Sequence, residues 1–182
     1  MRTFESDLSW LFLCASPTSN TGEFNNSVVF LIEDSPDGSV GVIINRPLDK
    51  DIAEIPEFSD DPRLNNIEVY AGGPVAMNEL KLGAFILNDT SVGSFHYGIS
   101  PQKLLSIIDG PYEAKPMAFL GCVCWDYKQL RDEIDAGLWF TSNVDMETVF
   151  DVPPEDLWRE LLVREFPSLS DLPSPEGNVK SN

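Results

Sequence analysis

The stretch "SVVFLIEDSPDGSVGVIIN", Ser27 to Asn45, constrains the fold more than any other. Two runs rich in valine and isoleucine, Ser27 to Asp34 and Ser39 to Asn45, flank the turn sequence "SPDG". β-Branched side chains suit a pleated, half-buried surface. Asp37-Gly38 supplies the positive φ angles that a tight hairpin needs, so the two runs are expected to pair antiparallel.

Other strands follow from similar runs. Trp10 to Ala15 reads as a first strand, ended by Ser16-Pro17, and "IEVYAGGPV" as a strand entering a glycine turn. "GAFILND" and "GSFHYGIS" form a second strand pair, and "PMAFLGCVCW", the most hydrophobic run, belongs at the centre of the sheet. "RPLDKDIAEIPEFSDDPRLNN" is polar and broken by proline, and reads as a loop with at most one short helix around Ile52 to Ile55. Three helices are punctuated. Ser100 caps one that has Pro101 at its first position and Gly110 past its end. Asp126 to Ala136 forms a second. Glu155 to Phe166 forms a third, with Leu157, Trp158, Leu161 and Leu162 on one side.

Hairpins interspersed with separate helices imply an α+β, or mixed α/β, fold without a regular βαβ repeat. The chain of 182 residues suits one domain, residues 1–166, followed by a Pro/Ser-rich segment, 167–182, expected to be a mobile tail. No run approaches the roughly 20 apolar residues that span a bilayer, and the first apolar run, Trp10 to Ala15, is too short for a signal core, so no targeting segment is expected. Thirty acids against twelve bases give a net charge of -18, a poor surface for duplex nucleic acid or anionic membrane. Three cysteines in a chain this size favour reduced thiols and a cytoplasmic location.

"FLGCVCWDYKQLRDEIDAGLWF", Phe119 to Phe140, carries the densest chemistry. Asp126 and Gln129 have capping-box spacing, Tyr127, Leu130, Ile134 and Leu138 recur at helical intervals, and Gly137 suits a left-handed helix stop. The stretch therefore reads as strand, cap, helix, stop and strand. Cys122 and Cys124 share one face of the strand, because strand side chains alternate. As buried thiols they would be small hydrophobes. A zinc site would need Cys14, Cys122, Cys124 and His96 to converge, and a reactive thiol would draw on a helix N-terminus after Cys124. The expectation is packing, with no metal and no cofactor. Nucleophilic catalysis would have to use the single histidine, His96, and no G-x-S-x-G elbow accompanies it.

Three stretches in this order, "GVIINRPL" (Gly41 to Leu48), "VYAGGPV" (Val69 to Val75) and "LGCVCWDYKQLRDEIDAGLWF" (Leu120 to Phe140), resemble the bacterial AlgH/YqgE family. The resemblance covers roughly residues 8 to 165. It implies a single domain with a curved, barrel-like mixed sheet and about three outer helices. It implies little about activity, since the family is commonly labelled a transcriptional regulator without an established biochemical role. Its recurring positions fall here on Asn45, Arg46 and Pro47, on Gly72, Gly73 and Pro74, and on Gly121, Trp125, Gln129, Leu130 and Trp139. This chain departs from the pattern at Lys128, where members usually have glycine, and at Cys122 and Cys124.

Each position also has a physical reading. Arg46 offers a planar fork for a carboxylate or phosphate, or else pairs internally with a neighbour such as Asp49. Asn45 can bond nearby backbone, and Pro47 fixes the bend. Gly72-Gly73-Pro74 forms either a plain turn or an anion-binding nest. Gly121, Trp125, Gln129, Leu130 and Trp139 read as structural. The functional expectation is a cytosolic binding or regulatory protein. It would recognise a small ligand or protein partner through Arg46 and the glycine turn, without direct nucleic-acid or membrane binding. The alternative is a hydrolase-like or thiol-dependent enzyme using His96 or a cysteine.

Overall fold

The hairpin forms, but not with its turn at Asp37-Gly38. Strands β2 (Val28–Ser35) and β3 (Gly38–Ile43) pair antiparallel, with Ser35 opposite Gly38, so Pro36 and Asp37 make the turn. Gly38 serves a different purpose. A Cβ there would lie 2.6 Å from the carbonyl oxygen of Trp125, so glycine lets the next strand come close. A register shift between Leu31 and Glu33 bends the ribbon.

The computed structural model describes residues 7–18, 21–55, 58, 61–89, 93–143 and 146–171. The remaining strands are β1 (Phe12–Ala15), β4 (Pro47–Asp51), β5 (Glu68–Ala71), β6 (Val75–Leu87), β7 (Ser94–Ile99), β8 (Glu113–Trp125) and β9 (Trp139–Ser142). The helices are α1 (Pro101–Ile108), α2 (Gln129–Asp135), α3 (Met146–Asp151) and α4 (Pro154–Glu165). The sheet runs β4-β5-β8-β3-β2-β1-β9, with β6 pairing β7 and β8. Every pairing is antiparallel except β5 with β8. The result is a mixed α+β domain on a curled, half-barrel sheet.

β8 is central, as its hydrophobicity requires, and contacts β3, β5 and β6. It changes neighbour along one edge: Ala118 to Leu120 face β5, whereas Val123 to Trp125 face β3. Gly121 sits at the changeover with φ 76°, and a Cβ there would be 2.2 Å from the Gly73 carbonyl oxygen. Only glycine satisfies both conditions.

Three apolar clusters hold the sheet. Phe12, Phe30, Phe85, Phe95 and Phe119 pack on one side, where α3 and α4 add Val149, Leu157 and Leu161. Leu130 of α2 seals Trp125, Trp139 and Val123. Leu104 and Ile107 of α1 cover Val69, Leu82 and Ala118. Ser100 caps α1 as expected, its hydroxyl accepting the Lys103 N–H at 3.2 Å.

Several elements differ from the sequence reading. Pro47–Asp51 is a strand, not a loop, because its backbone bonds to β5 although its side chains are mostly exposed. The strand expected from Gly83 begins at Val75 and carries an irregularity between Val75 and Leu80 opposite β8. Helix α3 is an addition to the three expected helices. Strand β1 starts at Phe12, since Trp10 has a left-handed φ of 72°. Tyr127 is exposed, so the buried helix face rests on Leu130, with Ile134 and Leu138 packing beside it. The expected tail begins with a 3-10 turn, Pro167–Leu169, and Arg159 donates to the Ser170 carbonyl. Residues 172–182 lie outside the described residues. Among the described residues no helix is long and apolar enough to cross a membrane.

Candidate functional site: a cleft around Glu133

The strand-helix-strand unit from β8 to β9 brings two indoles to one carboxylate. Trp125 ends β8, Trp139 begins β9, and Glu133 projects from the helix between them. Glu133 Oε2 accepts both indole N–H groups, from Trp125 at 2.9 Å and from Trp139 at 2.7 Å. Its Oε1 accepts Gln129 Nε2 at 2.9 Å, the i,i+4 neighbour on α2. The indole rings meet edge to face, 6.0 Å apart. Gln129 also receives the Asp126 N–H on its Oε1 at 3.1 Å, which is one half of the expected capping box. Lys128 provides the cap position with φ 71°, a left-handed conformation natural to the glycine that the family resemblance leads one to expect there.

A cleft of about 370 Å³ opens beside this cluster. Trp125, Trp139, Gln129 and Glu133 form its floor, and Pro74 and Val75 one wall. Thr21, Glu23 and Phe24 supply the opposite lip, with Phe24 edge-on to Trp139 at 5.7 Å. Among the described residues the lining includes the carboxylates of Glu23 and Glu133 but no lysine, arginine or histidine. Its field therefore favours cations and hydrogen-bond donors and opposes phosphates.

The sequence candidates divide around this cleft. Pro74, Trp125, Gln129 and Trp139 line it. Asn45 stands behind the lip: its Oδ1 accepts the Val28 N–H at 2.8 Å and its Nδ2 donates to the Asn26 carbonyl at 2.9 Å. Arg46 donates to the Asn25 carbonyl at 3.0 Å, fastening the segment that carries Glu23 and Phe24. The expected pair with Asp49 does not form; Arg46 has no ion pair among the described residues. Burial lowers the Arg46 pKa, against the opposing pull of the Glu23 charge. Pro47 opens β4 opposite Tyr70.

Gly72 and Gly73 permit close approach to β8. Added Cβ atoms would lie 2.3 Å from the Gly121 and Cys122 carbonyl oxygens respectively. The Gly72 N–H is already donated to the Leu120 carbonyl at 2.8 Å, so it is not free for an anion. Gly121 is the reciprocal partner of this approach, and Leu130 is a core residue. Glu133 escapes a sequence reading because a single acid among thirty carries no signal by itself. Its i,i+4 spacing from Gln129, between two tryptophans, is the available clue.

The thiols are not equivalent. Cys14 is buried, and burial with the nearby Glu165 charge raises its pKa. Cys124 is exposed, against the expectation of packing, and Cys122 is half-buried. Helix α2 begins only at Gln129, well past the position from which its N-terminus would act on Cys124. Among the described residues no three of His, Cys, Asp and Glu converge as metal ligands. His96 lies on β7 opposite Ala84, away from the cleft lining.

A family model described as AlgH-like (DUF179) matches residues 12–167 of this sequence. The chain belongs to the AlgH-like family. It is 28% identical to the UPF0301 protein AlgH of Pseudomonas aeruginosa, over 92% of this chain and 94% of that protein. A UPF0301 protein of Pasteurella multocida is 34% identical over 82% of this chain and 86% of its own length. The solution structure of the P. aeruginosa AlgH protein superposes with a TM-score of 0.68 at 26% identity, covering 91% of this chain and 93% of that one. A Corynebacterium diphtheriae protein shares the fold at TM-score 0.66 and 20% identity, covering 90% of each chain. These AlgH-like relatives bear uncharacterised-family names, so the cleft must be interpreted from its own chemistry.

Proposed function

We propose that this AlgH-like protein is a cytosolic binding or regulatory protein, and that the cleft around Glu133 is where it recognises a ligand or partner. The observation carrying this reading is a half-open cavity whose floor is a carboxylate held by three N–H donors. Such a floor is preorganised, because the charge sits in a fixed place before anything binds. With Glu23 on the lip and no basic residue among the described lining residues, the preferred guest carries an ammonium or guanidinium group on an apolar stem. A small amine or a basic side chain of a partner protein meets that description; DNA phosphate does not. Arg46 acts behind the lip as a positioning residue, and Asn45 locks the adjoining strand.

The experiment is an NMR titration with benzylamine and, separately, benzoate, observing the Trp125 and Trp139 indole N–H signals. Benzylamine should shift both signals saturably, benzoate neither. Glu133→Gln should weaken the amine response, and Arg46→Ala should weaken it less, with Arg46→Lys restoring part. Indole signals indifferent to both probes would remove the cleft as a binding site.

A further inference from the structure

We propose that Cys122 and Cys124 form a two-thiolate chelate for a soft monovalent cation of the copper(I) class. The two side chains project from one face of β8, at successive same-side positions, with their Sγ atoms 3.7 Å apart. Metal–thiolate bonds of about 2.3 Å hold two sulfurs roughly 3.8–4.0 Å apart at angles between tetrahedral and trigonal. The thiols therefore already stand at nearly the required bite.

A disulfide fits this placement less well. It requires sulfurs at about 2.05 Å and Cα atoms usually within about 4.4–6.8 Å. Two strand residues on one face are about 6.6–6.8 Å apart along the chain, at the outer limit of that range. Closing the covalent bond would pucker the central strand, whereas a bridging ion leaves it straight.

Ion selection follows from ligand count. Zinc structural sites take four ligands, and no third donor of the His, Cys, Asp or Glu set converges among the described residues. Soft thiolates select copper(I), and at the bent angle that a 3.7 Å bite imposes the remaining position opens to solvent and takes an exogenous donor. Cys124 is exposed and Cys122 half-buried, so an ion has access from solvent. Glu79 and Lys81 of β6 act electrostatically on Cys122, and their side chains pair at 3.5 Å. Tyr97 of β7 feels both thiols. Binding exchanges two thiol protons for one cation: two S–H bonds break, two S–metal bonds form, and two protons leave to solvent. No electron changes hands. Because binding displaces thiol protons, it strengthens as pH rises.

This proposal does not depend on the cleft. Cys124 borders the cleft, but the thiols occupy the face of β8 opposite Val123 and Trp125.

The test is anaerobic titration of the reduced full chain against copper(I) held by bicinchoninate, whose colour reports ion transfer. The wild type should withdraw one copper(I) per chain. Cys124→Ser and Cys122→Ser should each bind at least tenfold more weakly, because one thiolate cannot chelate. Cys124 is exposed, so its variant retains the packing, and circular dichroism with a melting curve verifies both. If Cys122→Ser fails to fold, Cys124→Ser decides alone. Failure of the wild type to withdraw copper(I), or wild-type affinity in Cys124→Ser, would overturn the proposal. One zinc retained per chain in preference to copper(I) would also overturn it.

Discussion

Arg131 on α2 grips Asp34 at the end of the β2 ribbon with two bonds, Nη2 to Oδ2 at 2.7 Å and Nη1 to Oδ1 at 3.1 Å. The Asp34 side chain is 2% exposed. Asp34 also accepts the Leu8 N–H and the Ser39 hydroxyl, so one carboxylate joins the chain's early residues, the hairpin and the helix that carries Glu133. Burial alone would raise its pKa. The bonds from Arg131, Ser39 and Leu8, with the Arg131 charge, outweigh burial and hold it below the usual aspartate value. A depressed folded pKa contributes stability that is present above the unfolded value, about 3.9, and is lost as pH falls through the folded value. Arg131→Met should therefore cost about 3–5 kcal/mol at pH 7, by stranding a buried charge. The difference from wild type should shrink towards pH 3. Urea unfolding of both proteins at the two pH values measures it; an equal penalty at both would mean that the charge pair is not responsible.

Glu133 satisfies two buried indoles, which makes the site sensitive to truncation. Glu133→Ala leaves Trp125 Nε1 and Trp139 Nε1 without their acceptor, at about 1–3 kcal/mol for each unsatisfied donor. Glu133→Gln keeps an amide oxygen in place and should cost distinctly less. Tryptophan-monitored urea titration should rank them wild type, Gln, Ala, and identical midpoints for Gln and Ala would contradict this role.

Two glycines with nearly the same φ make a controlled comparison. Gly121 has φ 76° and no room for a Cβ, while Gly137 has φ 73° and nothing within 4 Å of one. Gly137→Ala should cost only the left-handed penalty, about 1–2 kcal/mol. Gly121→Ala adds a collision with backbone at the strand changeover and should lower the melting temperature far more, or prevent folding. Equal melting temperatures would show that the β8 contact relaxes cheaply.

On nucleic acid, four basic residues among the described ones already face carboxylates: Arg63, Lys81, Arg131 and Arg164. With a net charge of -18, the electrostatic attraction on which specific contacts build is missing. A mobility-shift titration at physiological salt should show no retarded duplex. Saturable, salt-sensitive retardation at micromolar protein would refute this expectation.

What the sequence makes legible is whatever is encoded locally. Ser100 and Pro101 announce α1, and the valine- and isoleucine-rich runs flanking "SPDG" announce a hairpin. The strand from Pro47 to Asp51 is hidden because its regularity lies in backbone bonds to β5, which polar side chains do not reveal. The turn is misplaced because Gly38 answers to Trp125, far along the chain, and not to its own turn. The same distinction separates the candidate residues. Trp125, Gln129 and Trp139 are visible as a motif, but their service to the cleft depends on Glu133 and on Phe24 from another part of the chain. Arg46 is visible as a lone cation, and only tertiary placement shows its bond to Asn25.

Strand β1 is flanked by β2 on one edge and by β9 on the other. During synthesis on the ribosome these partners do not arrive together. The edge of β1 that awaits Trp139 to Ser142 stays open while the intervening chain is made, for on the order of ten seconds at roughly 5–20 residues per second. Cys14, Leu13 and Phe12, all buried in the finished protein, lie along that open edge. This chain thus presents an unpaired apolar strand to its surroundings until nearly all of the domain has emerged, the interval in which a chaperone has something to hold.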